Sequence, residues 1–236
     1  MSENENLREL EEENLEEEKK RKKRKKWIIL SVVLGIIIIA IVVILALIAM
    51  AKKRNIVKKP VVYLYPEQTT EVSVRLDLKG KLTTTYPKYE NGWKVTASPD
   101  GTLRDAKGMT YNYLYWEAES RVDYDFSKGF CVKGSETAQF LEKALAELGL
   151  NRREANEFIV YWLPLMEQND YNVITFQTDA YTENAKLIVD PAPDTLIRAF
   201  MAWYGSDNYV EIPEQKLSAP SRSGFTVVEW GGSEIR

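Results

Sequence analysis

The chain has 236 residues, with 32 Lys and Arg against 35 Asp and Glu, a single Cys and no His. Without His, this chain cannot build a triad that uses an imidazole as general base, and it lacks the commonest nitrogen ligand of zinc. One Cys leaves neither a thiolate cluster nor an intramolecular disulfide, and no motif calls for a cofactor or metal.

The charge is unevenly laid out. Residues 1–18 hold nine Glu and one Arg, and residues 19–26 read KKRKKRKK. Residues 55–236 hold 20 basic and 26 acidic side chains, a net of −6, which argues against nucleic acid as a partner because that binding rests on Lys and Arg neutralising phosphates. Residues 1–26 therefore read as a charged tail. Glu16, Glu17 and Glu18 stand four residues before Lys20, Arg21 and Lys22, a spacing that supports a solvated helix. The basic octet also suits anionic lipid headgroups.

Residues 27–50, WIILSVVLGIIIIAIVVILALIAM, carry no charge, and 17 of the 24 are Ile, Leu or Val. As a helix this stretch spans about 36 Å, enough to cross a hydrocarbon core of about 30 Å. The expectation is a transmembrane helix and signal anchor with the lipid bilayer as its partner. Ala49-Met50-Ala51 fits a cleavage site, but the apolar stretch is far longer than the 7–15 residues typical of a signal peptide. Eight basic residues precede it and five (Lys52, Lys53, Arg54, Lys58, Lys59) follow within residues 51–59. That bias predicts a cell membrane protein with a cytoplasmic N-terminus and an extracytoplasmic C-terminal domain. Ser31 and Gly35 form one small-xxx-small pair, too common in such spans to specify a dimer.

Residues 51–58 read as a linker and 59–236 as an α+β domain, β-rich over 59–132 and mixed over 133–236. EVSVRLDL (71–78) alternates strictly, the mark of a strand buried on one face. Strand-like runs lie at 61–65, 81–86 and 93–97, with turn signals between them. The first half is therefore mostly antiparallel β. From Ser135 the period becomes helical through Ala138, Leu141, Leu145 and Leu148, with Gly149 to close the helix. Asn151 and Glu154 suit the start of a second, short helix. Strands are expected at 158–163, 172–176, 186–189, 195–204, 209–212 and 224–230. Cys131, in GFCVKG, reads as a small buried hydrophobe.

YNYLYWEAESRVDYDF (111–126) is the segment richest in site chemistry. Alternation puts Tyr111, Tyr113, Tyr115 and Glu117 on one face of a strand, a row able to stack on sugar rings and hydrogen-bond their hydroxyls; it equally suits packing against a helix. Glycoside cleavage needs two carboxyl groups about 5–9.5 Å apart, one kept protonated. The candidates beside bulky apolar neighbours are Glu117, after Trp116, and Glu229, before Trp230. Lys133-Gly134-Ser135 lacks the Ser-x-x-Lys spacing of a serine nucleophile, so Ser135 reads as a helix cap.

KPVVYLYP (59–66), LTTTYPKY (82–89), NGWKVTASPDGTL (91–103), YNYLYW (111–116), FIVYWLPLM (158–166) and GFTVVEWGG (224–232) together resemble a family of uncharacterised bacterial membrane-anchored, extracytoplasmic proteins. The resemblance spans 59–232 and implies a bacterial, Gram-positive-type source; it brings no activity and no catalytic residue. The sequence thus leads to a single-pass, membrane-anchored protein that binds or organises a cell-surface glycan or envelope protein. Its rival is a carboxylate-dependent hydrolase of cell-surface glycan.

Overall fold

A computed structural model describes residues 3–51, 55–120 and 122–235, with side chains over 20–28, 30–45, 57–120 and 122–235. The chain divides into two compact units, Met1–Lys53 and Arg54–Arg236. Lys52, Lys53 and Arg54, and the side chains of Glu16, Glu17 and Glu18, lie outside the described residues.

The first unit is one helix, α1 (Glu3–Ala51). Over Lys20–Leu45 it is long and apolar enough to cross a membrane, by length and composition. Its described large apolar side chains stand open, from Val33 at 46% exposure to Ile39 at 66%. Water does not tolerate such a surface on every side of a helix.

The second unit is α+β, its strands lying in mostly antiparallel sheets with few helices. In chain order its strands are β1 (Asn55–Tyr65), β2 (Thr70–Leu78), β3 (Gly80–Tyr86), β4 (Trp93–Ala97), β5 (Leu103–Arg104), β6 (Thr110–Tyr111), β7 (Leu114–Ser120) and β8 (Phe130–Lys133). Helices α2 (Thr137–Glu147) and α3 (Arg152–Met166) follow, then β9 (Tyr171–Gln177), the short α4 (Asp179–Thr182), β10 (Ala185–Asp190), β11 (Thr195–Ser206) and β12 (Thr226–Glu234). Seven strands form one sheet in the order β3-β7-β1-β12-β11-β9-β8, and five form another in the order β10-β2-β4-β5-β6.

The seven-stranded sheet is the middle of three layers. One face carries Val61, Tyr63, Met201, Trp203, Val228 and Trp230 against Leu141 and Leu145 of α2 and Phe158, Trp162 and Met166 of α3. The other carries Val62, Leu64, Trp116, Phe200 and Val227 against Val72, Val74, Trp93 and Val95 of the five-stranded sheet. Strands buried on both faces read as continuous apolar runs, as in VVYLY of β1; β2, covered on one face, alternates. The β11–β12 pair is parallel, and its connection returns on the helix side, where Leu217 joins the helix-side core.

Three local expectations are corrected. Residues 158–163, read as a strand, belong to α3: Ala155, Phe158, Trp162 and Met166 recur at helical spacing and are buried, while Val160 is 74% exposed. Residues 209–212 lie in the β11–β12 connection, outside any strand, with the Val210 amide donating to Cys131 Sγ at 3.2 Å. Ser135 lies within a 3₁₀ turn, Gly134–Glu136, and α2 begins after it. The box at α3 forms as the sequence requires, with Asn151 Oδ1 accepting from the Glu154 amide at 3.0 Å and Glu154 Oε2 accepting from the Asn151 amide at 2.8 Å.

Candidate functional site

Side chains alternate across β7, so Leu114, Trp116 and Ala118 are buried toward the five-stranded sheet while Tyr115 and Glu117 face the helix side, half-buried. Tyr113, just before the strand, is also on the helix side and meets Tyr63 edge-on at 5.4 Å between ring centroids. Tyr111 does not share that face. The chain bends at Asn112, and Tyr111 lies in β6 of the other sheet, its hydroxyl donating to Asp105 Oδ2 at 3.0 Å. It is tied back to the row through Tyr86, whose ring lies 5.5 Å away and which pairs with Tyr115 across β3 and β7.

Lys59 joins these rings. Its backbone has a φ of 59°, the left-handed region that costs a side-chain-bearing residue about 1–2 kcal/mol. Around it the pairing of β1 with both neighbours slips in register. The bulge inverts the strand: Val57 faces the five-stranded sheet, whereas Val61, four residues on, faces the helices. It also carries Lys59 Nζ over Tyr115 at 5.3 Å and over Tyr113 and Tyr161 at 5.6 Å each. Tyr161 comes from α3. The Glu117 carboxylate accepts from the Lys59 amide at 3.3 Å.

The tyrosines here are held protonated. Burial first, then the Glu117 charge, raises Tyr115 and Tyr161; burial first, then the Glu157 charge, raises Tyr113. The surface thus offers half-open rings, neutral hydroxyls that donate and accept, the Lys59 ammonium and the Glu117 carboxylate, with Glu157 and Arg153 near Tyr113. Tyr86, at its rim, is 61% exposed.

Glu229 sits elsewhere. It lies on β12 facing the five-stranded sheet, the opposite face of the seven-stranded sheet from Glu117. Its Oε1 accepts from Trp116 Nε1 at 3.1 Å and its Oε2 from Arg198 Nε at 2.6 Å. Arg198 also donates to the Ala185 carbonyl at 2.7 Å, and its guanidinium lies 4.6 Å from the Tyr181 ring, which stacks on Phe200. The Glu229 side chain is 0% exposed and that of Arg198 8%. Burial, the largest single influence, would lower Arg198; the Glu229 charge, Tyr181 and the hydrogen bonds to them together outweigh it and hold the guanidinium above its usual range. Glu117 and Glu229 therefore share no cleft, and Glu229 is a buried counter-ion without access to a glycosidic oxygen. Among the described residues, no group of His, Cys, Asp and Glu is arranged to hold a metal ion.

Lys59, Tyr86 and Tyr161 did not stand out in the sequence, because a bulge, an edge strand and a helix bring them together. Arg198 did leave a signal, as a lone charge inside the apolar run TLIRAFMAWY.

No family model and no solved structure matches this chain. A segment of 64 residues, 26% of the chain, is 47% identical to a protein of Butyrivibrio fibrisolvens described as "Uncharacterized protein in bglA 3'region". The match spans 66% of that relative's own length.

Proposed function

We propose that this is a single-pass membrane protein whose domain outside the membrane holds saccharide on the tyrosine surface around Lys59. In this reading residues 1–26 are a cytoplasmic tail that meets anionic headgroups, 27–50 cross the bilayer, and 59–236 form the extracytoplasmic binding domain. The observation that carries the binding role is the gathering of Tyr113, Tyr115 and Tyr161 around one ammonium at half-exposed positions. Rings held in place by packing lose little entropy on binding, and their protonated hydroxyls suit vicinal sugar hydroxyls. The anchor is supported by the uncharged stretch and its open apolar side chains. The hydrolase reading has no comparable support, since its two carboxylates lie on opposite faces of a sheet.

The test is a glycan array probed with the full chain in a sugar-free detergent. A stacking ring contributes about 1 kcal/mol, so Tyr113→Ala and Tyr161→Ala should each weaken retention about five-fold, with an unchanged far-ultraviolet circular dichroism spectrum. Folded variants that retain glycan as well as the parent chain would remove the tyrosine surface from this role.

A further inference from the structure

The charges around the tyrosine surface are not evenly matched. Among the described residues, Lys59 Nζ makes no ion pair and no hydrogen bond; its partners are the rings of Tyr113, Tyr115 and Tyr161. The preceding residue, Lys58, does pair, with Glu234 Oε2 at 3.8 Å. The two carboxylates of the surface are engaged elsewhere. Glu117 accepts from the Lys59 amide at 3.3 Å and holds the proton on Tyr115. Glu157 accepts from the Tyr63 hydroxyl at 2.8 Å and pairs with Arg153 Nε at 3.8 Å. An ammonium has three N–H donors, and ring faces attract its charge without accepting as an oxygen does, so Lys59 keeps donor capacity that the protein leaves unused.

The backbone makes the same point. The bulge in β1 asks only for a positive φ, which Gly or Asn adopts with less strain than Lys. What a lysine adds there is an aimed charge, and backbone strain of this kind collects where a side chain is held for a ligand. Lys59 is half-buried, its stem packed among rings, and a lysine so placed turns its head toward water. A ligand that lies on these rings therefore meets one unsatisfied ammonium, neutral hydroxyls beside it, and carboxylates already occupied. That set suits a single planar negative charge carried on the stacked ring itself. A doubly charged phosphate monoester would face Glu117 and Glu157 with one free cation to hold it.

We infer that Lys59 makes this surface selective for acidic saccharide, its ammonium receiving the carboxylate of a uronic acid whose ring stacks on the tyrosines. This rests on the saccharide reading above and adds the sign of the ligand's charge. The experiment is calorimetric titration of the full chain, in a nonionic, sugar-free detergent at low salt, with four-unit oligomers of galacturonate, glucuronate and mannuronate, each beside its carboxyl methyl ester. The ester keeps the rings and hydroxyls and removes the charge. The expected result is a series in which the acid binds about ten-fold more tightly than its ester, the gain of a charge-assisted over a neutral hydrogen bond, with a ratio that shrinks as salt is added. Lys59→Met, similar in length and uncharged, should bring that ratio to about one, and Lys59→Arg should keep most of it. Equal affinity for acid and ester in the parent chain, or a preference that survives in Lys59→Met, would overturn the inference while leaving saccharide binding at the tyrosines intact. The first of these comparisons needs no variant, so misfolding cannot shelter the inference. Absence of binding by every acid and every ester would overturn both.

Discussion

At the scale of single residues, the structure separates two glutamates that look alike in sequence. Each adjoins a Trp, yet Glu117 is half-buried beside a lysine amide and Glu229 is sealed against Arg198 and Trp116. Removing one partner of a buried pair leaves the other charge uncompensated, so Glu229→Ala should cost about 3–5 kcal/mol in chemical denaturation. Glu117→Ala should cost far less. Equal, small losses would contradict the buried pair. The tyrosines give a second expectation. Tyr63, Tyr115 and Tyr181 are raised by burial first and neighbouring carboxylates second, and Tyr124 by burial. In the unfolded chain each titrates near 10.0. Above that pH the unfolded state loses protons that the folded state keeps, so the contribution of these tyrosines is constant below about pH 10 and stability falls as pH rises beyond it. Tyrosinate absorbance followed against pH should then include a cooperative step, from the buried tyrosines, that coincides with loss of structure. Gradual titration of all 13 tyrosines in a folded chain would contradict it.

At the scale of elements, α3 packs closely on the middle sheet. A Cβ on Gly232 would stand 2.7 Å from the Trp162 ring and 2.7 Å from the Met201 carbonyl oxygen. Neither neighbour has a free end to yield, so Gly232→Ala should destabilise by about 1–3 kcal/mol, read as a lower denaturant midpoint at unchanged slope. The same joint shows what sequence reading reaches and what it misses. EVSVRLDL announces β2 because one face meets water and the other meets core, so the pattern is written in polarity. FIVYWLPLM is dense in aromatic and β-branched residues, which favour strands, and only the spacing of Phe158, Trp162 and Met166 betrays the helix. Alternation placed Tyr113, Tyr115 and Glu117 on one face correctly and failed at Tyr111, because a bend at Asn112 carries no strong local signal. Lys59 was beyond reach altogether. Nothing in KKPVVY says that the second lysine takes a positive φ and swings over rings contributed by two other elements.

At the scale of the whole molecule, the proposed topology makes a direct prediction. In a Cys131→Ala background, Lys88→Cys should react with a membrane-impermeant maleimide on intact cells, and Ser2→Cys only after the membrane is opened. Lys88 suits the purpose, its side chain being 84% exposed. The opposite pattern would invert the orientation drawn from flanking charge, and labelling of both positions on intact cells would remove the anchor. The two sequence halves, β-rich and mixed, are not separate bodies, since β1 lies between β7 and β12 and β10 pairs with β2. This interleaving bears on synthesis. Tyr63 of β1 and Trp230 of β12 are hydrogen-bonded neighbours 167 residues apart in the chain. At roughly 5–20 residues per second, the ribosome delivers β12 on the order of ten seconds after β1. For that interval VVYLY, built to be covered on both sides, has no partner on its β12 edge. A nascent chain halted before Thr226 holds β3, β7 and β1 in one fragment and β11, β9 and β8 in another, with the strand that joins them still unmade.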